Sequence, residues 1–228
     1  MAFSITTATS SRASNSDPDS VTLPASVSAG DLCLAFHVSD STLTRTFPSP
    51  WVEILDQATS NHNIGIAYLI ASGGETAVSV TKSGTERFSA IAMRITAATW
   101  HGTTAPEVAA FATGTSNVPN PSAVNASWGS EANLFIAVGV WDSSDGAVTV
   151  SAYPTNYSSN NTASPVISSS GLCALGTFET TAASDDPGTF TISASDEWMG
   201  GTVVVRPAGG APPAFSPPHN LMTLGVGR

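Results

Sequence analysis

The chain has 228 residues, only 11% of them charged, and its 17 acidic against 7 basic side chains leave a net charge of −10. That balance repels phosphates, and no basic cluster offsets it locally, so nucleic acid and anionic membrane surfaces are excluded as partners. The length suffices to bury a core without staples and suits one all-β domain.

The opening "MAFSITTATSSRAS" lacks the charged start and apolar run of a secretory signal, and no apolar stretch reaches membrane-spanning length. The chain is therefore expected to be made and folded in a cytoplasm. Cys33 and Cys173 then read as reduced thiols in apolar runs, with a disulfide as the alternative. The sequons at Asn125, Asn156 and Asn160 read as chance matches in a Ser/Thr-rich chain.

Short β-branched segments divided by Gly, Pro, Asn, Asp and Ser predict strands. In order they are Ser20–Leu23, Leu32–Val38, Trp51–Leu55, Ile64–Ile70, Ala77–Thr81, Ala90–Ile95, Ala109–Thr113, Leu134–Trp141, Val148–Ala152, Leu172–Phe178, Thr189–Ser193 and Thr202–Arg206. The run "APEVAAFATG" leaves one or two helical turns open as an alternative. The two halves align: Leu32–Val38 with Leu134–Val140, Ile64–Ile70 with Leu172–Phe178, Ala77–Thr81 with Thr189–Ser193, and Ala90–Ile95 with Thr202–Arg206. Each half is thus a four-strand block. Two such blocks facing each other predict an all-β, jelly-roll-like antiparallel sandwich over residues 1–207. Two separate small sandwiches are the alternative.

Alternation assigns the faces. Leu32, Leu34, Phe36 and Val38 share one side of their strand, as do Ile64, Ile66, Tyr68 and Ile70, Ile91, Met93 and Ile95, and Leu134, Ile136, Val138 and Val140. These bulky sets predict the core. The opposite sides are small and apolar where a solvated face would carry charge. That face, marked by Ala35, Ala67, Ala92 and Ala137, is expected to be covered by loops of the same chain or by another subunit. A subunit is the preferred reading, giving a homo-oligomer with a trimer favoured.

Residues 208–228 change character: "GGAPPAFSPPHNLMTLGVGR" is rich in Pro and Gly yet apolar. It reads as an extended arm whose anchors are Phe215, Leu221, Met222, Leu224 and Val226, with a loose tail as the alternative.

No catalytic set, metal site or cofactor site is specified. Cys33 and His37 stand at i, i+4, but on a strand that puts them roughly 13 Å apart, too far to share an ion. A Gly-x-Ser-x-Gly elbow is absent. "WDSSDG" offers Asp142 and Asp145 to calcium, but without the pattern of an EF-hand loop it reads as a hairpin turn. The pairs Asp185-Asp186 and Asp196-Glu197 sit in turn signals and do not specify a glycosidase pair. Trp51, Trp100, Trp128, Trp141 and Trp198 lie near strand ends, where they would plug the sandwich or stack sugars.

The phrases "VTLPASVSAGDLCLAF", "PSPWVEI", "IGIAYLIASGGETAVSV", "ERFSAIAMRI" and "WGSEANLFIAVGVWDSS" resemble a loosely defined β-sandwich family encoded in tailed-bacteriophage structural gene modules. The resemblance spans about Val21 to Arg206 and rests on packing and turn residues. It implies a virion component: a head decoration, a head fibre or part of a tail fibre. It transfers no catalytic or metal residue. Two expectations follow. The first is a non-enzymatic virion structural protein, a capsid decoration or cement protein or a short spike, held to other virion proteins by the C-terminal arm. The alternative is a tail-fibre adhesin domain that binds host glycan.

Overall fold

The two most apolar runs of the sequence each take the centre of a sheet, and the rest of each half is arranged around them. The structure, a computed structural model, describes residues 2–142, 148–163 and 171–209. The first half forms β1 (Ile5–Ser16), β2 (Asp19–Thr22), β3 (Leu32–Asp40), β4 (Arg45–Thr46), β5 (Val52–Ala58), β6 (His62–Ile70), β7 (Ala77–Lys82) and β8 (Glu86–Ile95). After a short 3-10 turn at Ala97–Thr99, the second half forms β9 (Glu107–Val108), β10 (Ala112–Ser116), β11 (Val124–Asn125), β12 (Glu131–Asp142) and β13 (Val150–Ala152). It continues with β14 (Ser158–Ala163), β15 (Gly171–Ala182), β16 (Ser184–Asp185), β17 (Thr191–Ile192) and β18 (Asp196–Val205).

The halves repeat one topology. The first sheet runs β1-β8-β3-β6-β5 and the second β10-β18-β12-β15-β14, with β9 added beside β18. All their pairings are antiparallel. The registers correspond as well: Leu32 faces Ile95 as Leu134 faces Val205. Val38 faces Ile64 as Val140 faces Cys173. The structural repeat therefore pairs Ile64 with Cys173 and Ile95 with Val205, one residue away from the alignment read off the sequence. A one-residue slip exchanges the two faces of a strand, so contacts fix this register where composition alone does not.

The inner faces of the two large sheets pack on each other. Leu32, Leu34, Phe36, Ile64, Ile66, Ile91 and Met93 meet Leu134, Ile136, Val138, Val140, Leu175, Met199 and Val203 in one core. The bulky faces predicted by alternation are those that face inward. Behind each large sheet lies a second, smaller layer. In the first half it is the three-stranded sheet β2-β7-β4, and in the second the pairs β11-β16 and β13-β17. Stacked sheets lie about 10 Å apart, so small side chains on the hidden face let the thin layer come close.

That layer corrects the expectation of a subunit face. Ala35, Ala67 and Ala92 are fully buried against Val21, Val78, Val80 and Phe47 of the same chain, and Ala137 against Val124, Phe190 and Val204. The four alanines face no partner and supply no argument for a trimer. The run "APEVAAFATG" contains β9 and the start of β10, so the helical alternative is not taken. Six strands were not predicted: the longer β1 and β14, and the two-residue β4, β9, β11 and β16. Both β1 and β14 are Ser-, Thr- and Asn-rich edge strands, and each hydrogen-bonds to a single neighbour, where polar residues are tolerated.

Candidate functional site: a buried ionic cluster

The hidden face of the first half is apolar along most of its length and then turns ionic at one end. In β7 the inward positions are Val78, Val80 and Lys82, and in β2 they are Asp19 and Val21. The same period of two that buries the valines therefore buries an amine and a carboxylate. His37 of β3 points to the same layer from the large sheet, and Asp19, His37 and the Lys82 side chain are all shut off from solvent.

Asp19 is the hub. Its Oδ2 lies 2.8 Å from His37 Nε2 and 2.7 Å from Lys82 Nζ, and its Oδ1 accepts from Arg12 Nη2. Lys82 Nζ also donates to the Glu86 carbonyl at 2.7 Å. The His37 ring stacks on Phe88 with centroids 5.4 Å apart, and the Arg12 guanidinium lies over the same Phe88 ring, 5.2 Å from its centroid. His37 Nδ1 is buried without a partner.

Arg45 closes the cluster from β4. It donates to the His37 carbonyl and to the Asn63 side chain, and its Nε lies 3.6 Å from Asp56. Its stem crosses Gly65 so closely that a Cβ there would collide with Arg45 Cδ. Gly65 is thus a consequence of the arginine. Asn63 is held in turn by Ser39 at 2.8 Å and donates to the Leu43 carbonyl at 2.6 Å.

The electrostatics follow from this geometry. Burial alone would push the Asp19 carboxyl up, but hydrogen bonds and charge from His37 and Lys82 outweigh it and hold the group below its ordinary value. Burial pulls His37 down to about 4, with the bond to Asp19 offsetting only part of the effect. Burial likewise lowers Arg45 to about 10 against the attraction of Asp56, Glu53 and Asp19. At neutral pH the cluster is an ionised Asp19 among three cations, beside a neutral imidazole.

The residues singled out in the sequence fall elsewhere. Cys33 and Cys173 are free and buried in different layers, with burial first among the causes that raise the Cys33 thiol to about 12. Trp100, Trp141 and Trp198 are buried plugs, leaving Trp51 and Trp128 partly exposed. Asp142 ends β12, while Asp145 lies outside the described residues, as do Phe215, Leu221, Met222, Leu224 and Val226. Asp185 accepts from the Tyr157 hydroxyl. Among the described residues, no three His, Cys, Asp or Glu side chains come together as a metal site.

Two clefts open along the seam between the halves. One, of about 360 Å³, lies among Phe3, Ile5, Ser158, Thr177 and Glu179. The other, of about 290 Å³, lies among Ser60, Thr113, Thr115 and Glu197. Each is lined by one carboxylate, and each carboxylate is engaged: Glu179 by the Phe3 N–H at 3.1 Å, Glu197 by Ser60 at 3.0 Å and Asn61 at 2.6 Å.

Asp19 and Lys82 were not found by reading the sequence, although a signal was present. Lys82 ends an alternating strand on its apolar side, and His37 interrupts an apolar strand. Nothing local showed that the two meet. Compared with protein-family models, curated proteins and solved structures, the chain matches none.

Proposed function

We propose that this chain is a non-enzymatic structural component of a tailed-bacteriophage virion, a capsid decoration or cement protein or a short spike. The observation that carries the reading is the repeated double-layered body, in which both halves bury their hidden faces and engage their reactive groups internally. The resemblance to phage structural modules supports it, because its phrases fall on framework positions. Gly30 adopts a φ of 86°, and Asp31 accepts from the Ser28 and Ala97 N–H groups at 2.9 Å each and from Arg94 at 2.6 Å. Such a site sets a loop and does no chemistry.

We assign attachment to the part of the 208–228 arm beyond Gly209, which lies outside the described residues. The body closes just before that part, where Trp100 bridges Pro207 and the Ala208 N–H donates to the Thr99 carbonyl. The test is co-purification of the full chain with particles through a density gradient, followed by labelled electron microscopy. The protein is expected on the particle surface, and a version ending at Gly209 is expected to fold and to be lost from particles. Particles that lack the full-length protein would overturn the virion reading. Equal incorporation of the shortened chain would overturn the arm alone.

A further inference from the structure

Lysine is among the residues least often fully buried. This chain contains one lysine, Lys82, the other six basic residues being arginines. Its side chain is fully buried, with Nζ 2.7 Å from the carboxylate of an equally buried Asp19. The two stand on paired antiparallel strands, Asp19 opposite Val80 and Lys82 two residues further on. Were a cation all that was needed, the arginine used elsewhere would serve and would hold the carboxylate with two bonds. An amine differs in one respect: its neutral form is a nucleophile.

We propose that Lys82 and Asp19 form an intramolecular isopeptide bond, made without a cofactor and with loss of one water, His37 donating a hydrogen bond to the departing oxygen. The step balances within the cluster. The Lys82 ammonium gives one proton to Asp19 Oδ2, 2.7 Å away. The freed amine attacks Asp19 Cγ, and the carbonyl electron pair moves to Oδ1, where Arg12 donates. A second proton passes from Nζ to Oδ2, which also accepts from the neutral His37 through Nε2–H. The Cγ–Oδ2 bond breaks, water leaves, and the electron pair on Oδ1 restores the carbonyl. One N–H remains on the new amide, and His37 stays neutral throughout.

Two physical effects favour this. Holding the groups in contact supplies an effective concentration of about 10⁵–10⁸ M in well-aligned cases. In water the charged pair is preferred over the amide because both ions are well solvated. Here both have already lost that solvation, and the reaction replaces two buried charges with a neutral amide. The second half argues that the fold itself does not require the charges. Its matching positions, in register with His37 and Phe88, hold Gly139 and Trp198.

The experiment uses the full-length chain as purified. Its intact mass is expected one water below the sequence mass. After denaturation, an amine reagent is expected to leave Lys82 unmodified, and a peptide map should join the segments carrying Asp19 and Lys82. The variant Lys82→Arg keeps the charge and should recover its full sequence mass. A wild-type chain of full mass whose Lys82 labels completely when unfolded overturns the proposal. A water loss that persists in Lys82→Arg also overturns it, because that loss lies elsewhere in the chain.

Discussion

The same corner of the same fold is built twice, once from charges and once from rings. In the first half the end of the hidden face holds Asp19, His37, Arg45 and Lys82 beside Phe88. In the second, Trp141, Phe190 and Trp198 fill it, with the Trp141 and Phe190 rings 6.3 Å apart and Tyr153 edge-on to Phe190 at 5.5 Å. The glycines track the difference. Gly65 makes room for a guanidinium, and Gly139 for an indole and a phenyl ring. The fold needs the volume filled and the layer held down. It does not dictate the chemistry, and the ionic solution carries a desolvation cost that the aromatic one avoids.

Removing the hub should have the largest effect. Asp19→Ala removes the partner of Lys82 and leaves that amine buried without a counter-charge, and unpaired buried ions cost about 3–5 kcal/mol. Urea denaturation should report a loss of that size. Adding Lys82→Met to Asp19→Ala should recover part of it, because the second change removes a stranded charge. Additive losses would mean that the charges act separately and that the contrast between the halves is superficial.

Acidification should separate the halves next. His37 and His62 both belong to the first half, and burial lowers each from 6.5 to about 4. Around His37 stand Asp19, Lys82, Arg45 and Arg12, and near His62 stands Glu197. Both imidazoles are neutral when folded, while the unfolded chain takes up protons first. Stability is therefore full above pH 6.5 and falls as the pH drops toward 4, by on the order of 3 kcal/mol per histidine across that window. Asp19, where it is not joined to Lys82, is held low and contributes its own loss only below its ordinary value of 3.8. Melting temperatures from pH 7 to 4.5 should fall in the wild type, and His37→Asn should flatten the curve. An unchanged slope in that variant would remove His37 from the account.

The aromatic corner can be broken by addition. A Cβ on Gly139 would stand 2.7 Å from Trp141 and 3.2 Å from Phe190. Gly139→Ala is therefore expected to destabilise by about 1–3 kcal/mol, the range for overpacking a filled core. Gly74, by contrast, has open space around its missing side chain, though its φ of 88° strains any replacement.

These contrasts mark what the sequence could reveal. Alternation in β3, β6, β8 and β12 assigned the inner faces because the bulky and small sets are sharply divided. The small set also announced a close cover, but composition could not say whose. Covering by the chain's own β2-β7-β4 depends on pairings between Asp19–Thr22 and Ala77–Lys82, nearly sixty residues apart in the sequence. The ionic cluster was hidden for the same reason. Its members come from β1, β2, β3, β4 and β7, and no local pattern in the sequence joins one to another.

The smallest expected effect tests the seam that joins the two halves. Glu197 of β18 receives Ser60 and Asn61 from the turn before β6, and lies 3.9 Å from His62 Nδ1. Glu197→Gln keeps an oxygen for one donor and loses the charge. Because the site is partly exposed and His62 is neutral, the loss at pH 7 should be about 1 kcal/mol or less. Acid should enlarge it. Glu197 raises the folded pKa of His62 against the pull of burial, so removing the charge lowers that pKa further from its unfolded value. Both proteins then lose stability with the same slope from pH 6.5 downward, and they part only near pH 4, where the folded wild type takes up the His62 proton and the variant does not. The variant's melting temperature should therefore stay at a constant offset to about pH 5 and separate from the wild type as the pH approaches 4. Curves that stay parallel through pH 4 would mean that Glu197 acts only as a hydrogen-bond acceptor toward Ser60 and Asn61.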